Sequence, residues 1–134
     1  MEDVFVARLM STALHTVTPD TLVEDAAQLI LDNNISSVVV VDEDNRLEGI
    51  LTTTDFVDIV AKSQPKAQTT VERYMTTDVI TAGAQDSIVA VAESMTEHGF
   101  HHMPVVDEEE GVIGMITTSD LAAYLSQTGK LARS

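Results

Sequence analysis

The feature that most constrains this chain is an internal repeat of sixty-five residues, which runs without a gap over nearly its whole length. The matched pairs include Val6 and Val71, Met10 and Met75, Val40 and Val105, Asp42 and Asp107, Gly49 and Gly114, Thr52 and Thr117, and Asp55 and Asp120. A fixed period of this kind indicates two copies of one supersecondary unit, each too small to bury much core alone. The sequence therefore predicts one compact domain whose two halves pack about a pseudo-twofold axis.

Hydrophobic spacing within each copy predicts the order β-α-β-β-α. In the first copy Val17 lies in a short extended piece, and Thr21 with Glu24 forms a capping box that opens an amphipathic helix. The β-branched residues 38–41 and the apolar residues of 47–51 then form a hairpin, and a second helix follows. The fold class is therefore α/β (α+β). The repeat boundaries are placed at residues 1–62 and 71–134, with a linker at 63–70.

Charge is the unusual global property of the chain. Its 22 acidic and 7 basic residues give a net charge of −15. Such a surface repels long polyanions, so no nucleic-acid partner is expected. At about 1 M salt the Debye length falls to roughly 3 Å and this repulsion is screened, which leads us to expect a salt-loving source.

Two further absences in the sequence narrow the class of protein. No stretch approaches the roughly 18 apolar residues of a spanning helix, so we expect a cytoplasmic protein with no membrane partner. The chain has no cysteine, which removes disulfides and thiolate metal sites. His98, His101 and His102 form the one histidine cluster, but no complete ligand set accompanies them, so no metal site is expected.

The last strand of each copy leads into a motif with binding chemistry. The motifs are Gly49-Ile-Leu-Thr52-Thr53-Thr54-Asp55 and Gly114-Met-Ile-Thr117-Thr118-Ser119-Asp120. Each places hydroxyls at a strand end and a carboxylate in the first helical turn, where backbone N–H groups attract phosphate and the carboxylate accepts from both ribose hydroxyls. The same Thr-x-x-Asp spacing is also a capping box that only closes the helix, so both interpretations stay open.

Together with Met10-Ser11, Met75-Thr76 and Pro104-Val105-Val106-Asp107, these motifs resemble the CBS domain family, named after cystathionine β-synthase, whose members occur as tandem pairs. The resemblance covers nearly the whole chain. It implies a β-α-β-β-α fold in each half and two clefts between the repeats that take adenosine-containing ligands such as AMP, ADP, ATP or S-adenosylmethionine. It implies neither catalysis nor a required cofactor.

Transferred position by position, the resemblance assigns the ligand contacts. Asp55 and Asp120 would hold ribose hydroxyls. The residues that would approach phosphate or ribose are Thr52, Thr53, Thr117 and Thr118. The residues expected near the adenine are Thr16, Val17, Val38 and Val39 in one cleft, and Thr81, Ala82, His102, Met103 and Pro104 in the other. Cations are scarce, with Arg8 and Arg73 matched in register, which favours monophosphates or zwitterions over triphosphates.

Three classes of function remain at this stage. An enzyme is the weakest, because the chain has no Walker loop, His-Glu-x-x-His motif or nucleophile elbow, and no catalytic residue is assigned. A regulatory sensor would act on an effector protein in trans and would pair as a homodimer, as tandem pairs of this family commonly do. A dimerising scaffold with empty, degenerate clefts is the alternative. The differences Val39/Pro104 and Pro19/Ala84 favour one fully competent cleft.

Overall fold

The computed structural model describes residues 4–62 and 69–133, apart from the side chains of Lys62 and of residues 128–133. The elements in chain order are α1 (Val6–Leu9), β1 (Thr16–Val17), α2 (Val23–Asn33), β2 (Ser37–Val41), β3 (Leu47–Thr52), α3 (Thr53–Lys62), a 3₁₀ helix (Val71–Arg73), α4 (Ile88–His98), β4 (His102–Asp107), β5 (Gly111–Thr117) and α5 (Thr118–Arg133). The α/β class is confirmed. None of the described helices combines the length and the apolar run needed to cross a membrane.

The chain divides into two compact units whose membership differs from the repeat boundaries. The first-repeat unit contains the described residues between 14 and 79, with 110–112. The second-repeat unit contains the described residues up to 13, with 80–109 and 113–133. Boundaries drawn at 62 and 71 therefore describe the sequence copies and not the compact units. Of the linker expected at 63–70, residues 63–68 lie outside the described residues.

In the first-repeat unit the sheet has the order β1-β2-β3. β1 runs parallel to β2, and β2 and β3 form the antiparallel hairpin. The buried residues that pack beneath it are Val17, Ala26, Ile30, Val38, Val40, Leu51 and Val71. Because side chains alternate along a strand, Val38 and Val40 face this cluster while Val39, only 1% exposed, is buried on the opposite face.

In the second-repeat unit β4 pairs with β5. The extended piece predicted at the start of this copy is reduced to Ala82, which makes a single parallel bridge to Val105. The buried residues of this core are Val6, Ala82, Val91, Met95, Met103, Val105 and Ile116. The two cores therefore use equivalent positions of the repeat, including the matched pairs Val17 and Ala82, Val38 and Met103, and Val40 and Val105.

Each core also contains a segment from the other repeat. Val6 belongs to the first copy by sequence but is fully buried in the second-repeat unit, and Val71 is exchanged in the opposite direction. The segment after Val6 pairs through Ser11 with Met115, with N···O distances of 2.8 and 2.9 Å. Thr76 pairs with Ile50 in the same way, at 2.9 and 3.0 Å. We call residues 4–13 and 69–79 the exchanged segments.

The start of α2 differs from the sequence prediction. The helix begins at Val23 behind Leu22, whose side chain cannot cap, and no side-chain cap is formed. Thr21 Oγ1 instead accepts a hydrogen bond from the backbone N–H of Thr18, 3.1 Å away, and so closes the preceding turn. The capping box predicted from Thr21 and Glu24 is therefore wrong. In the second copy Ser87 does cap α4, accepting from the N–H of Val89 at 3.1 Å.

Asn45, in the hairpin turn of the first copy, draws residues 110–112 into the first-repeat unit. Its side-chain amide donates to the backbone carbonyl oxygens of Glu110 and Val112, both at 2.9 Å. Its backbone carbonyl accepts from Val112 N–H at 3.0 Å. Asn45 has φ +63° and Gly111 has φ +82°. Glycine is needed at 111 because a Cβ there would lie 2.1 Å from the Asn45 oxygen.

Candidate ligand-binding site

The two Thr-x-x-Asp motifs adopt the same geometry. Asp55 Oδ2 accepts hydrogen bonds from the backbone N–H of Thr52 at 2.8 Å and from its hydroxyl at 3.2 Å. Asp120 Oδ2 accepts from the same two groups of Thr117 at 2.8 and 3.1 Å. The carboxylates therefore do close the first turns of α3 and α5, as the capping interpretation predicts.

Capping uses only some of the hydrogen-bond acceptor positions of these carboxylates. An ionised carboxylate offers about four lone-pair positions, and the contacts described above use only Oδ2 of Asp55 and Asp120. In the described part of the chain, Oδ1 of either residue accepts no hydrogen bond. Both side chains are half-buried, and the hydroxyl-bearing Thr53 and Thr118 beside them are exposed. Capping therefore fixes the orientation of each carboxylate through Oδ2, and Oδ1 takes no part in it.

Strand pairing brings further polar positions to the same end of the first-repeat sheet. Thr52, the last residue of β3, pairs with Ser37, the first residue of β2. Thr53 N–H donates to the carbonyl of Ser36 at 3.0 Å. Thr16, on the parallel strand β1, pairs with Val39 and is exposed. Thr16, Thr52, Thr53 and Asp55 thus lie at one sheet end, where the N-termini of β1 and β2 meet the C-terminus of β3.

The second-repeat unit repeats this arrangement. Thr118 N–H donates to the carbonyl of His101 at 3.0 Å, the counterpart of the bond between Thr53 and Ser36. Ala82 N–H donates to Pro104 O at 3.0 Å, which places Thr81 next to the start of β4. The residues expected to bind a ligand in this copy therefore also gather at one sheet end.

The apolar residues expected near an adenine are largely enclosed. Val38 is 0%, Val39 1% and Met103 2% exposed, and Pro104 is among the most fully buried side chains. Val17 and Ala82 are also buried. By contrast Thr16, Thr53 and Thr118 at the sheet ends are exposed, so these hydroxyl-bearing residues are more accessible than the apolar ones.

The two sheet ends differ at the strand start. Ser36 and Ser37 in the first copy correspond to His101 and His102 in the second. His102 is half-buried, and burial, followed by the neighbouring His101, lowers the pKa of its imidazole below the ordinary value. A neutral His102 at pH 7 follows. Sequence analysis did not single out Ser36, whose carbonyl accepts from Thr53 N–H at the first-repeat sheet end. Its register match with His101, which precedes the predicted contact His102, could have placed it there.

His98, the third histidine of the predicted cluster, contacts residues close to it in sequence. His98 Nδ1 is 2.9 Å from Ser94 O and its ring stacks on Phe100, with centroids 5.9 Å apart. Within residues 4–62 and 69–133, no three His, Asp or Glu side chains converge as metal ligands would. The guanidinium of Arg73 lies 6.0 Å from the ring centroid of Tyr74. Arg8 is exposed, and the side chains of Lys62, Lys66 and Lys130 lie outside the described residues.

Comparison with protein families gives a match to both halves of the chain. A family model described as CBS domain matches residues 6–62 and again residues 71–127. These ranges fall within the two sequence copies, 1–62 and 71–134. Together they include all four polar residues that hold the two capping geometries.

Individual relatives agree with this match. Homoserine O-acetyltransferase of Methanosalsum zhilinae is 32% identical over 90% of this chain, although the chain spans only 24% of that enzyme's length. An uncharacterized 17.7 kDa protein of Acidianus ambivalens is 31% identical over 90% of this chain and 72% of its own. Among solved structures, the CBS domain pair of protein MJ0100, in complex with 5′-methylthioadenosine and S-adenosylmethionine, superposes with a TM-score of 0.86. It is 28% identical, covering 95% of this chain and 99% of that one.

Proposed function

The chain belongs to the CBS domain family, and from that premise we propose that it is a regulatory module that binds adenosine-containing ligands. The observation that carries the proposal is the pair of capping carboxylates, Asp55 and Asp120. Each accepts through Oδ2 at 2.8 Å, while its Oδ1 takes no part in capping. A carboxylate fixed in this way accepts from ribose hydroxyls without first paying to order its side chain. The complex of MJ0100 with two adenosine compounds supports the ligand class.

Charge narrows the ligand within that class. The net charge of −15 and the small number of basic residues give little to neutralise a triphosphate. Arg73, which carries one of those few cations, is placed over the ring of Tyr74. We therefore expect S-adenosylmethionine, which carries a net positive charge, and uncharged 5′-methylthioadenosine to bind more tightly than AMP, and AMP more tightly than ADP or ATP.

The two sheet ends are proposed to be unequal sites. The second-repeat end has the half-buried His102 and Pro104 where the first-repeat end has Ser37 and Val39. An imidazole offers a flat ring on which a base can stack, whereas a serine offers only a hydroxyl. We expect one site to bind more tightly, with the His102 end as the first to fill.

The proposed module catalyses no reaction, so the effect of its ligand would be regulatory. A ligand can act only by stabilising one conformation or assembly over another, because its effect equals its differential affinity for the two states. We propose a second copy of the chain and an effector protein in trans as the recipients of that signal. Light scattering with and without S-adenosylmethionine tests the first recipient directly.

Isothermal titration is the decisive test of ligand binding. The ligands are S-adenosylmethionine, 5′-methylthioadenosine, AMP, ADP and ATP, each titrated in dilute buffer and in molar KCl. Asp55→Asn and Asp120→Asn keep an oxygen for capping but remove the charge that accepts from ribose. We expect each to weaken its own site by about tenfold or more, the loss expected for a hydrogen bond to a charged group.

The control is Asp25→Asn, which removes the same charge from an exposed position on α2. It should leave binding unchanged. Heat from none of the five ligands at either salt concentration would contradict the proposal and favour the dimerising scaffold. Equal losses of ligand affinity in Asp25→Asn and Asp55→Asn would show that total charge, and not the carboxylate that caps α3, controls binding.

A further inference from the structure

The matched methionines Met10 and Met75 lie directly against the glycines of the two Gly-to-Asp motifs. A Cβ placed on Gly114 would be 2.7 Å from the sulfur of Met10. A Cβ placed on Gly49 would be 2.9 Å from the sulfur of Met75. The thioethers therefore occupy the space that a side chain at these glycines would need, and each packs at the edge of a hydrophobic core.

These two methionines also differ from the others in accessibility. Met95, Met103 and Met115 are 4%, 2% and 7% exposed, whereas Met10 and Met75 are half-buried. They are the most accessible methionines in the part of the chain that the structure describes. A thioether reacts with peroxide according to how readily the oxidant reaches the sulfur.

We propose that Met10 and Met75 are paired oxidation sites through which peroxides loosen the exchanged segments. The lone pair of the sulfur attacks one oxygen of hydrogen peroxide, so that an S–O bond forms as the O–O bond breaks. The sulfur loses two electrons and becomes the sulfoxide. The peroxide is reduced, and its second oxygen leaves as water after proton transfer.

Packing explains why the product is disruptive. The sulfoxide is polar and larger than the thioether, yet it must fit between a sheet glycine and an apolar core. At Gly49 the carbonyl oxygen of Thr76 closes the same space, 2.7 Å from the Cβ position. That carbonyl accepts the hydrogen bond from Ile50 N–H, so displacing it breaks the bridge that joins the segment to β3. Ser11 and Met115 form the equivalent bridge beside Met10.

Peptide mapping after graded exposure to hydrogen peroxide tests the order of oxidation. Trypsin cleaves after Arg8 and Arg46, so the peptide between them contains Met10 and no other methionine. Fragment ions separate Met75 from Met95, Met103 and Met115 within their shared peptide. Met10 and Met75 should gain oxygen well before those three. Earlier oxidation of Met95, Met103 or Met115 would overturn the proposal.

Thermal unfolding tests the consequence. Oxidation to completion at Met10 and Met75 should lower the melting temperature by roughly 5 °C or more, and methionine sulfoxide reductases should restore it. Met10→Leu/Met75→Leu, which nearly conserves side-chain volume, should melt close to the unmodified protein and resist the peroxide effect. The single variants test each segment if the double variant folds poorly. A wild-type melting temperature that stays constant after mapped oxidation would contradict the loosening.

Discussion

A hydrogen atom stands at Gly49 where any other residue would place a carbon 2.7 Å from the carbonyl oxygen of Thr76. At Gly114 the nearest atoms to that position are the Met10 sulfur at 2.7 Å and the Ser11 carbonyl oxygen at 3.0 Å. Heavy atoms at these distances overlap, so the exchanged segments can approach the strands only where the side chain is missing. These glycines therefore serve packing, although they were first noticed as part of a binding motif.

Alanine at these glycines should be destabilising in a definite order. Gly49→Ala should cost about 1–3 kcal/mol, the usual range for overpacking, because its closest neighbour is backbone. Gly114→Ala should cost less, since the methionine side chain can rearrange. Gly83→Ala is the control, because its Cβ would meet no atom closer than 3.7 Å. Urea unfolding measures the series, and a Gly83→Ala loss equal to that of Gly49→Ala would refute the packing argument.

At the same scale, the sequence left two interpretations of Asp55 and Asp120. Their spacing from Thr52 and Thr117 predicted a hydrogen bond across the helix start, and this bond is present. Spacing could not decide whether the second carboxylate oxygen also serves a ligand, because capping and binding need the same residue at the same place. Ribose contact at these residues therefore stays a prediction, for which the titrations above are the test.

At the scale of elements, the exchanged segments contribute buried side chains to cores formed mainly by the other repeat. Val6 and Val71 are both 0% exposed. Their segments are short, with only four residues in α1 and three in the 3₁₀ helix. Helices of this length have little stability of their own, so each segment is held chiefly by the burial of its valine and by its bridge to a strand.

Truncation of these valines should therefore destabilise strongly. Val6→Ala and Val71→Ala should each lower the free energy of unfolding by about 2 kcal/mol, from lost burial and the cavity left behind. Val57→Ala, at a position 68% exposed on α3, should change it by less than about 0.5 kcal/mol. Chemical denaturation compares the three. A loss at Val6 no larger than that at Val57 would show that the segment contributes little.

The elements themselves were largely predictable, but the exchange was not. Alternation and helical spacing predicted β2, β3 and the helices α2 to α5 because those signals are local, whereas α1 and the 3₁₀ helix were not predicted. The register places Val6 on Val71 whichever core each one enters, so identical residues cannot reveal which copy they pack against. The start of α2 was mispredicted for a related reason, since Thr21 had two possible partners and bonds to Thr18.

At the scale of the whole molecule, charge dominates. A net charge of −15 on 134 residues opposes compaction, and salt screens that repulsion within a Debye length of about 3 Å at 1 M. The run Glu108, Glu109 and Glu110 concentrates this charge in the turn between β4 and β5. Stability should therefore depend on ionic strength, although this property by itself identifies no source.

We expect the melting temperature to rise between dilute buffer and 1 M KCl. A variant in which Glu108, Glu109 and Glu110 are all changed to Gln should show a smaller rise, because it has less repulsion to screen. Scanning calorimetry of both proteins at matched pH measures the difference. A melting temperature that does not rise with KCl would refute the screening argument and the salt-loving expectation with it.

The exchanged segments also determine what happens when the chain is divided. A cut within residues 63–68 would leave Val6 on one fragment and most of the core that it completes on the other. Val71 would likewise be separated from most of the core of the first-repeat unit. Neither fragment would be an autonomous domain, and the two would behave as complementing halves that regain structure only when mixed. A single copy of the repeat, made as its own chain, could complete its core only by exchanging its N-terminal segment with that of a second copy in a dimer. Because both copies lie in one chain here, the segments are exchanged within the chain and no second molecule is needed.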